Sequence, residues 1–188
     1  LELAPDSGCA RGPSGALRSL SLGGGWPVVT ALAAIVIAVV VVGLDRLTKV
    51  WIIGGLDRGE VIHVIPGLLS IVHVRNPGAA FGLLAGAASP WREIALVAVS
   101  AAAVVGFAWM LNRMPRHAVA ERTATAAVIG GALGNLYDRV VYGEVVDFVD
   151  VYVGTWHWPA FNVADSAITV GIAVLILQAF RADDAPVT

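Results

Sequence analysis

Apolar residues in this chain arrive in long uncharged runs, with polar residues gathered at their ends. The run Trp26 to Leu44 holds no charge and stops at Asp45; at ~1.5 Å per helical residue it covers a hydrocarbon core of ~30 Å. Ile94 to Leu111 is a second such run, bracketed by Arg92, Glu93 and Arg113, with Trp109 where an interfacial ring would sit. Thr123 to Tyr137 and Ser166 to Phe180 are shorter and reach spanning length only with their polar ends included, as Ala118 to Asp138 and Asn162 to Arg181. The pattern predicts four membrane-spanning helices at about 26–44, 94–111, 118–138 and 162–181. Gly130, Gly131 and Gly134 are spaced for close helix approach, which suits a bundle interior. Residues 1–25, rich in Gly, Ser and Pro, read as a flexible tail, and 182–188 as a C-terminal tail.

Between the first two spans, Val61 to Ile65 and Leu68 to Arg75 are β-branched and partly alternating, separated by the turn dipeptide Pro66-Gly67. A small hairpin outside the bilayer is expected there. Ala79 to Ala88 reads as a short apolar helix on the membrane surface. Val140 to Val153, rich in Val, Tyr and Phe and interrupted by Gly143, reads as extended chain after the third span. The expected fold class is an all-α membrane protein: a four-helix transmembrane bundle with a small extracytoplasmic β-sheet and a short surface helix.

Composition agrees with an apolar solvent. Charged residues make up 14% of the chain, against about 25% in soluble domains. A net charge of −2 offers no basic field for nucleic acid. Cys9 is the only cysteine, so paired Cys/His metal spacings are absent and no cofactor or metal is expected. Lys49 is the only lysine among eleven arginines, a bias that by itself says nothing about mechanism. Basic residues divide equally between the two faces, so density decides orientation. Arg113, Arg116 and Arg122 crowd the short Asn112–Arg122 loop, which places that loop and both termini in the cytoplasm.

An ionisable group at membrane depth costs at least ~2.5 kcal/mol, so each one needs a reason. Asp45, Lys49, Asn76, Asn135, Asp138, Arg139, Asp147, Asn162 and Asp165 all map to the outer ends of spans or the outer loops, which points to one site near the outer leaflet. Asp45 and Lys49 share a helix face, and the plain reading is an interfacial ion pair closing the first span. Asn76-Pro77-Gly78 fits a turn, with Gly78 allowing close backbone approach. Gly131, Asn135 and Asp138 are neighbours on the third span, and Arg139 is expected to offset the Asp138 carboxylate at that helix's negative end. Asp147 and Asp150 have odd separation, so only one of them can face the site; the pattern leaves open which. Asn162 with Asp165 three residues on fits a helix cap. A second carboxylate on the same side raises another use, because two carboxyls sharing a proton can activate water against an amide. His63, His73, His117 and His157 are scattered, so no Ser/His/Asp or Cys/His set competes.

At Asp45-Arg-Leu-Thr-Lys49, Asn76-Pro-Gly-Ala-Ala-Phe81, Gly131 through Asp147 and Phe161-Asn-Val-Ala-Asp-Ser166 the chain resembles the bacterial lipoprotein signal peptidase family, signal peptidase II. The resemblance runs from about Trp26 to Phe180. It implies that Asp147 and Asp165 are the catalytic aspartates, and that Asp45, Lys49, Asn76, Gly78, Gly131, Asn135, Arg139, Asn162 and Ala164 shape the site; Asp138 joins that support set by its place on the third span. It further implies an intramembrane aspartic endopeptidase of the bacterial inner membrane that acts on diacylglyceryl-prolipoproteins, cutting before the lipidated Cys, with membrane lipid as its surroundings. A monomer is expected, although no motif in the sequence fixes the oligomeric state. The rival is a small tetraspan proton-coupled transporter subunit, which needs carboxylates near mid-bilayer and an inner exit.

Overall fold

The structure, a computed structural model, describes residues 29–78 and 90–183. Its elements in chain order are α1 (Ala31–Gly55), β1 (Val61–Ile65), β2 (Leu69–Asn76), α2 (Pro90–Arg113), α3 (Val119–Tyr142), β3 (Val145–Val153), β4 (Trp156–His157) and α4 (Val163–Asp183). The tail over 1–25 and the surface helix expected over Ala79–Ala88 lie outside the described residues, as does the end of the chain beyond residue 183.

Helix α1 starts where Thr30 Oγ1 accepts the Ala33 N–H at 3.2 Å, a side-chain cap for one of the helix's free donors. It does not stop at Asp45, as the charge there suggests, but runs on to Gly55. The charges are compatible with a continuing helix because Asp45 and Lys49 both turn inward and are fully buried. Helix α3 likewise outlasts its expected end. Val140 to Tyr142, read as extended from their β-branched and aromatic character, form its last turn. The helix stops only at Gly143, whose φ of +72° is a left-handed cap and whose N–H reaches Arg139 O.

Helix α3 is the hub of the described bundle and packs against α1, α2 and α4. Its glycines allow this. A Cβ on Gly130 would stand 2.7 Å from Ala38 O of α1, and one on Gly131 would stand 2.5 Å from Ala164 O of α4. Backbone therefore meets backbone on both sides, the small-residue packing used where lipid supplies no hydrophobic drive. At the end near the α2–α3 loop, the buried Arg122 guanidinium donates to Val29 O, Leu111 O and Met114 O and ties three helices together.

The outside of the bundle is apolar. Leu32, Val39, Leu47, Val99, Val105 and Phe180 are all more than 60% exposed, a surface suited to lipid and not to water. Among the described residues three helical stretches are long and apolar enough to cross a membrane: Ala31–Gly55, Trp91–Arg113 and Val163–Arg181. Helix α3 has matching length, but its polar residues are spent inside the bundle.

The four strands form an antiparallel sheet in the order β1-β2-β3-β4. The hairpin turns at Pro66-Gly67, with Gly67 at φ +82°. In β3, Phe148 and Val149 donate to Phe161 O at 3.0 and 2.8 Å, and Phe161 returns its N–H to Val149 O. These bonds clamp the start of α4 beside β3. They bring Asn162 and Asp165 next to Asp147.

Candidate active site

The site assembles from one residue group per element. From α1, the Lys49 ammonium reaches Asp45 Oδ2 at 2.9 Å and Asp138 Oδ2 of α3 at 2.8 Å. Arg46 completes the cluster at 2.6 Å from Asp138 Oδ1, with its guanidinium over the Tyr137 ring at 4.7 Å. Asp45 and Lys49 do pair, but as part of a buried four-ion cluster and not as an interfacial stop. The expected offset of Asp138 by Arg139 acts through charge at a distance and not through a direct ion pair. Asp138 spends its oxygens on Lys49, Arg46 and the Val146 N–H, because α1 lies against that face of α3. Arg139 instead donates to Asn135 O at 3.3 Å and lines the cavity. Desolvation of ions this deep is costly, and it is met here by two acids balanced against two bases.

Beside this cluster stand the two aspartates. Asp147 projects from β3, where it opposes Val74, and is buried; Asp150, on the opposite face, pairs with exposed His157 at 3.0 Å. Each carboxylate oxygen of Asp147 and Asp165 accepts one N–H. Asp147 Oδ1 takes Asn162 Nδ2 at 2.7 Å and Oδ2 takes Asn76 Nδ2 at 3.1 Å. Asp165 Oδ1 takes Asn135 Nδ2 at 2.7 Å and Oδ2 takes the Asn162 backbone N–H at 3.3 Å.

The asparagines are themselves oriented. Gly78 N–H donates to Asn76 Oδ1 at 3.0 Å, an Asx turn that points the Asn76 NH2 at Asp147. Asp165 N–H donates to Asn162 Oδ1 at 2.9 Å, so the helix cap read from the sequence is formed, and the same carboxamide reaches across to Asp147. Lys49 donates to Asn135 Oδ1 at 3.0 Å. Ala164 N–H donates to Asp45 Oδ1 at 3.1 Å, and its fully buried methyl leaves no room for a larger side chain.

Burial pushes the Asp147 carboxyl up to about 7; the Asp165 charge adds to the rise, while hydrogen bonds from Asn76 and Asn162 and the Lys49 charge oppose it. Both aspartates line a cavity of about 630 Å³ whose polar end also holds Asn76, Asn135 and Arg139. Its walls continue along α2, α3 and α4 as Val99, Ala103, Ala132, Ile168 and Val170. A polar head and an apolar trough in one cavity suit a peptide bond attached to hydrocarbon. Sequence reasoning did not single out Arg46. Its only signal is an acid, Asp138, that needs a partner across the bundle.

A model of the signal peptidase (SPase) II family matches residues 37–181. The chain belongs to the signal peptidase II family. It is 46% identical over 147 residues to the lipoprotein signal peptidase of Syntrophotalea carbinolica, covering 78% of this chain and 90% of that protein. It is 49% identical over 138 residues to that of Geobacter sulfurreducens, covering 73% and 85%. A bacterial membrane enzyme solved by the in meso method at 2.3 Å resolution shares the fold with a TM-score of 0.75 at 30% identity, over 86% of this chain and 98% of that one. Membership of a signal peptidase II family makes the chain a protease, and its apolar helices make it a membrane protein.

Proposed function

We propose that the chain is an intramembrane aspartic endopeptidase that removes signal peptides from diacylglyceryl-modified prolipoproteins by cutting before the lipidated Cys. The observation that carries this reading is the pair Asp147 and Asp165. They share one cavity, and every oxygen holds one fixed N–H, which leaves the remaining lone pairs for water, substrate and a shared proton. An ionised carboxylate of the pair takes a proton from water as its oxygen bonds to the scissile carbonyl carbon. The protonated partner donates to the carbonyl oxygen to give a gem-diol; on its collapse the diol returns that proton to the partner, the C–N bond breaks, and the amine takes the proton first removed from water. The proton belongs to the pair and not to one member.

The reading includes four crossings with α3 as one of them, termini in the cytoplasm, and the sheet and site toward the outer leaflet of a bacterial inner membrane. The Asn112–Arg122 stretch supports it: Arg113 ends α2, Arg116 lies in the connection and Arg122 in the first turn of α3, and arginines this dense resist translocation. Nothing supports the transporter alternative; the aspartates sit at the sheet end of the bundle, beside β3. The single chain, acting as a monomer, supplies the whole pair.

Lipid modification supplies the anchor, at ~0.8 kcal/mol per buried CH2, that holds the peptide bond at the depth of the pair. The test is a paired assay in liposomes with chelator present, using a lipidated peptide and its unlipidated twin. Cleavage of the lipidated peptide alone is expected. Equal cleavage of both overturns the substrate specificity, and loss of activity on chelation overturns the two-aspartate mechanism.

A further inference from the structure

We infer that Lys49 is a positioning residue for the hydrolysis: two of its protons hold the buried acids, and the third fixes the Asn135 carboxamide so that its NH2 faces Asp165. An ammonium has three donors and no acceptor. Those donors meet Asp45 Oδ2 at 2.9 Å, Asp138 Oδ2 at 2.8 Å and Asn135 Oδ1 at 3.0 Å, and the side chain is fully buried. A carboxamide can sit in two orientations related by a flip. Only one places oxygen toward Lys49 and nitrogen toward Asp165 Oδ1, where the contact is 2.7 Å. The flipped form sets an oxygen lone pair against the carboxylate and an NH2 against the ammonium.

Asn162 Nδ2 adds a weaker contact to the same Asn135 oxygen at 3.3 Å, but that nitrogen also serves Asp147 Oδ1 and Val146 O. The decisive donor to Asn135 is therefore Lys49. An arginine cannot take its place. A guanidinium spreads its donors in a plane at the end of a longer stem, whereas three acceptors on two helices converge here on one atom. This accounts for the only lysine in a chain that elsewhere uses arginine. The ion cluster thus couples to the chemistry through a single amide.

The inference rests on the aspartate-pair reading, and an Asp165→Asn protein run in parallel separates the two. Activity surviving in Asp165→Asn sinks that reading itself. Lys49→Met alone leaves excess buried acid, so the main variant is the charge-balanced Asp45→Asn/Lys49→Met, which keeps Arg46 against Asp138. The full chain in liposomes, assayed on a lipidated peptide, is expected to stay folded with kcat at least tenfold lower and KM unchanged. Lys49→Arg is expected to show the same kcat loss despite its retained charge. Lys49→Met should move the midpoint of the pH–rate profile upward, because the Lys49 charge that opposes the rise of the Asp147 carboxyl is gone; Arg139, the other cation at the cavity, is untouched. A folded double variant with kcat within threefold of the parent, a Lys49→Arg protein with full kcat, or an unmoved midpoint overturns the inference.

Discussion

Asn162 donates from its carboxamide to Asp147 Oδ1 at 2.7 Å while its oxygen caps the first turn of the helix that carries Asp165. One side chain thus sets the distance between two elements and the orientation of both acids. Asn162→Ala should lose about 1 kcal/mol of stability, the ordinary value of a helix cap. Its kcat should fall at least a hundredfold, well beyond what that loss explains. Chemical denaturation and turnover measured on the same preparation check the disproportion, and a rate loss no larger than the loss of folded protein refutes it.

Asp147→Asn and Asp165→Asn should each abolish turnover while leaving a folded bundle, since an amide cannot exchange the required proton. Asp150→Asn should keep near-parental activity, because Asp150 is engaged with His157 on the far face of β3. The reverse pattern, an active Asp147→Asn and an inactive Asp150→Asn, would place the chemistry on the wrong side of the strand.

The rate should fall as pH rises through about 7, the value to which the Asp147 carboxyl is pushed, because the pair then loses its shared proton. Stability follows the same group. Below the ordinary value of 3.8 both folded and unfolded chains hold the proton; between 3.8 and about 7 only the folded chain does, so stability is lost across that window and stays reduced above it. Asp147→Asn should therefore raise the melting temperature more at pH 8 than at pH 5. An equal rise at both values would mean the burial cost lies elsewhere.

Gly131→Ala should destabilise by about 1–3 kcal/mol through overpacking, since its new Cβ would stand 2.5 Å from the Ala164 carbonyl of α4. Gly106→Ala, with nothing within 4 Å, is the contrast. It should be neutral or gain up to about 1 kcal/mol from helix propensity. Thermal unfolding of the two proteins in the same detergent distinguishes packing from propensity.

Reporter fusions after Arg116 should report a cytoplasmic location, and a fusion after Arg58 an external one. An active external reporter after Arg116 inverts the proposed orientation.

Much of this arrangement was legible from local rules, and the exceptions share a cause. The β1–β2 hairpin, the Asn162 cap and the tight approaches at Gly130 and Gly131 follow from turn chemistry, capping and residue size, all set within a few positions. Strand parity limited the β3 choice to Asp147 or Asp150, but the choice itself depends on Asn76 and Asn162 lying across the gap. Asp45 looks like the end of α1 unless Lys49, Asp138 and the Ala164 N–H are counted together. Val140 to Tyr142 carry strand preference in their branched and aromatic side chains, while packing of α3 keeps the helix intact up to Gly143. The roles of the aspartate pair came from the family motifs, whose spacing is meaningful only once distant segments meet.

The buried ion cluster also constrains how the protein is made. Helix α1 leaves the ribosome before α2, α3 and α4, carrying one acid and two bases in Asp45, Arg46 and Lys49. Their partners follow much later, Asn135 at a separation of 86 residues and the Ala164 N–H at 119. A nascent chain that has not yet delivered Asp138 holds a helix with unmatched charge, which the bilayer penalises by at least ~2.5 kcal/mol for each such group. Helix α1 is therefore a provisional tenant of the membrane, and its buried ions are matched only when α3 and the start of α4 arrive.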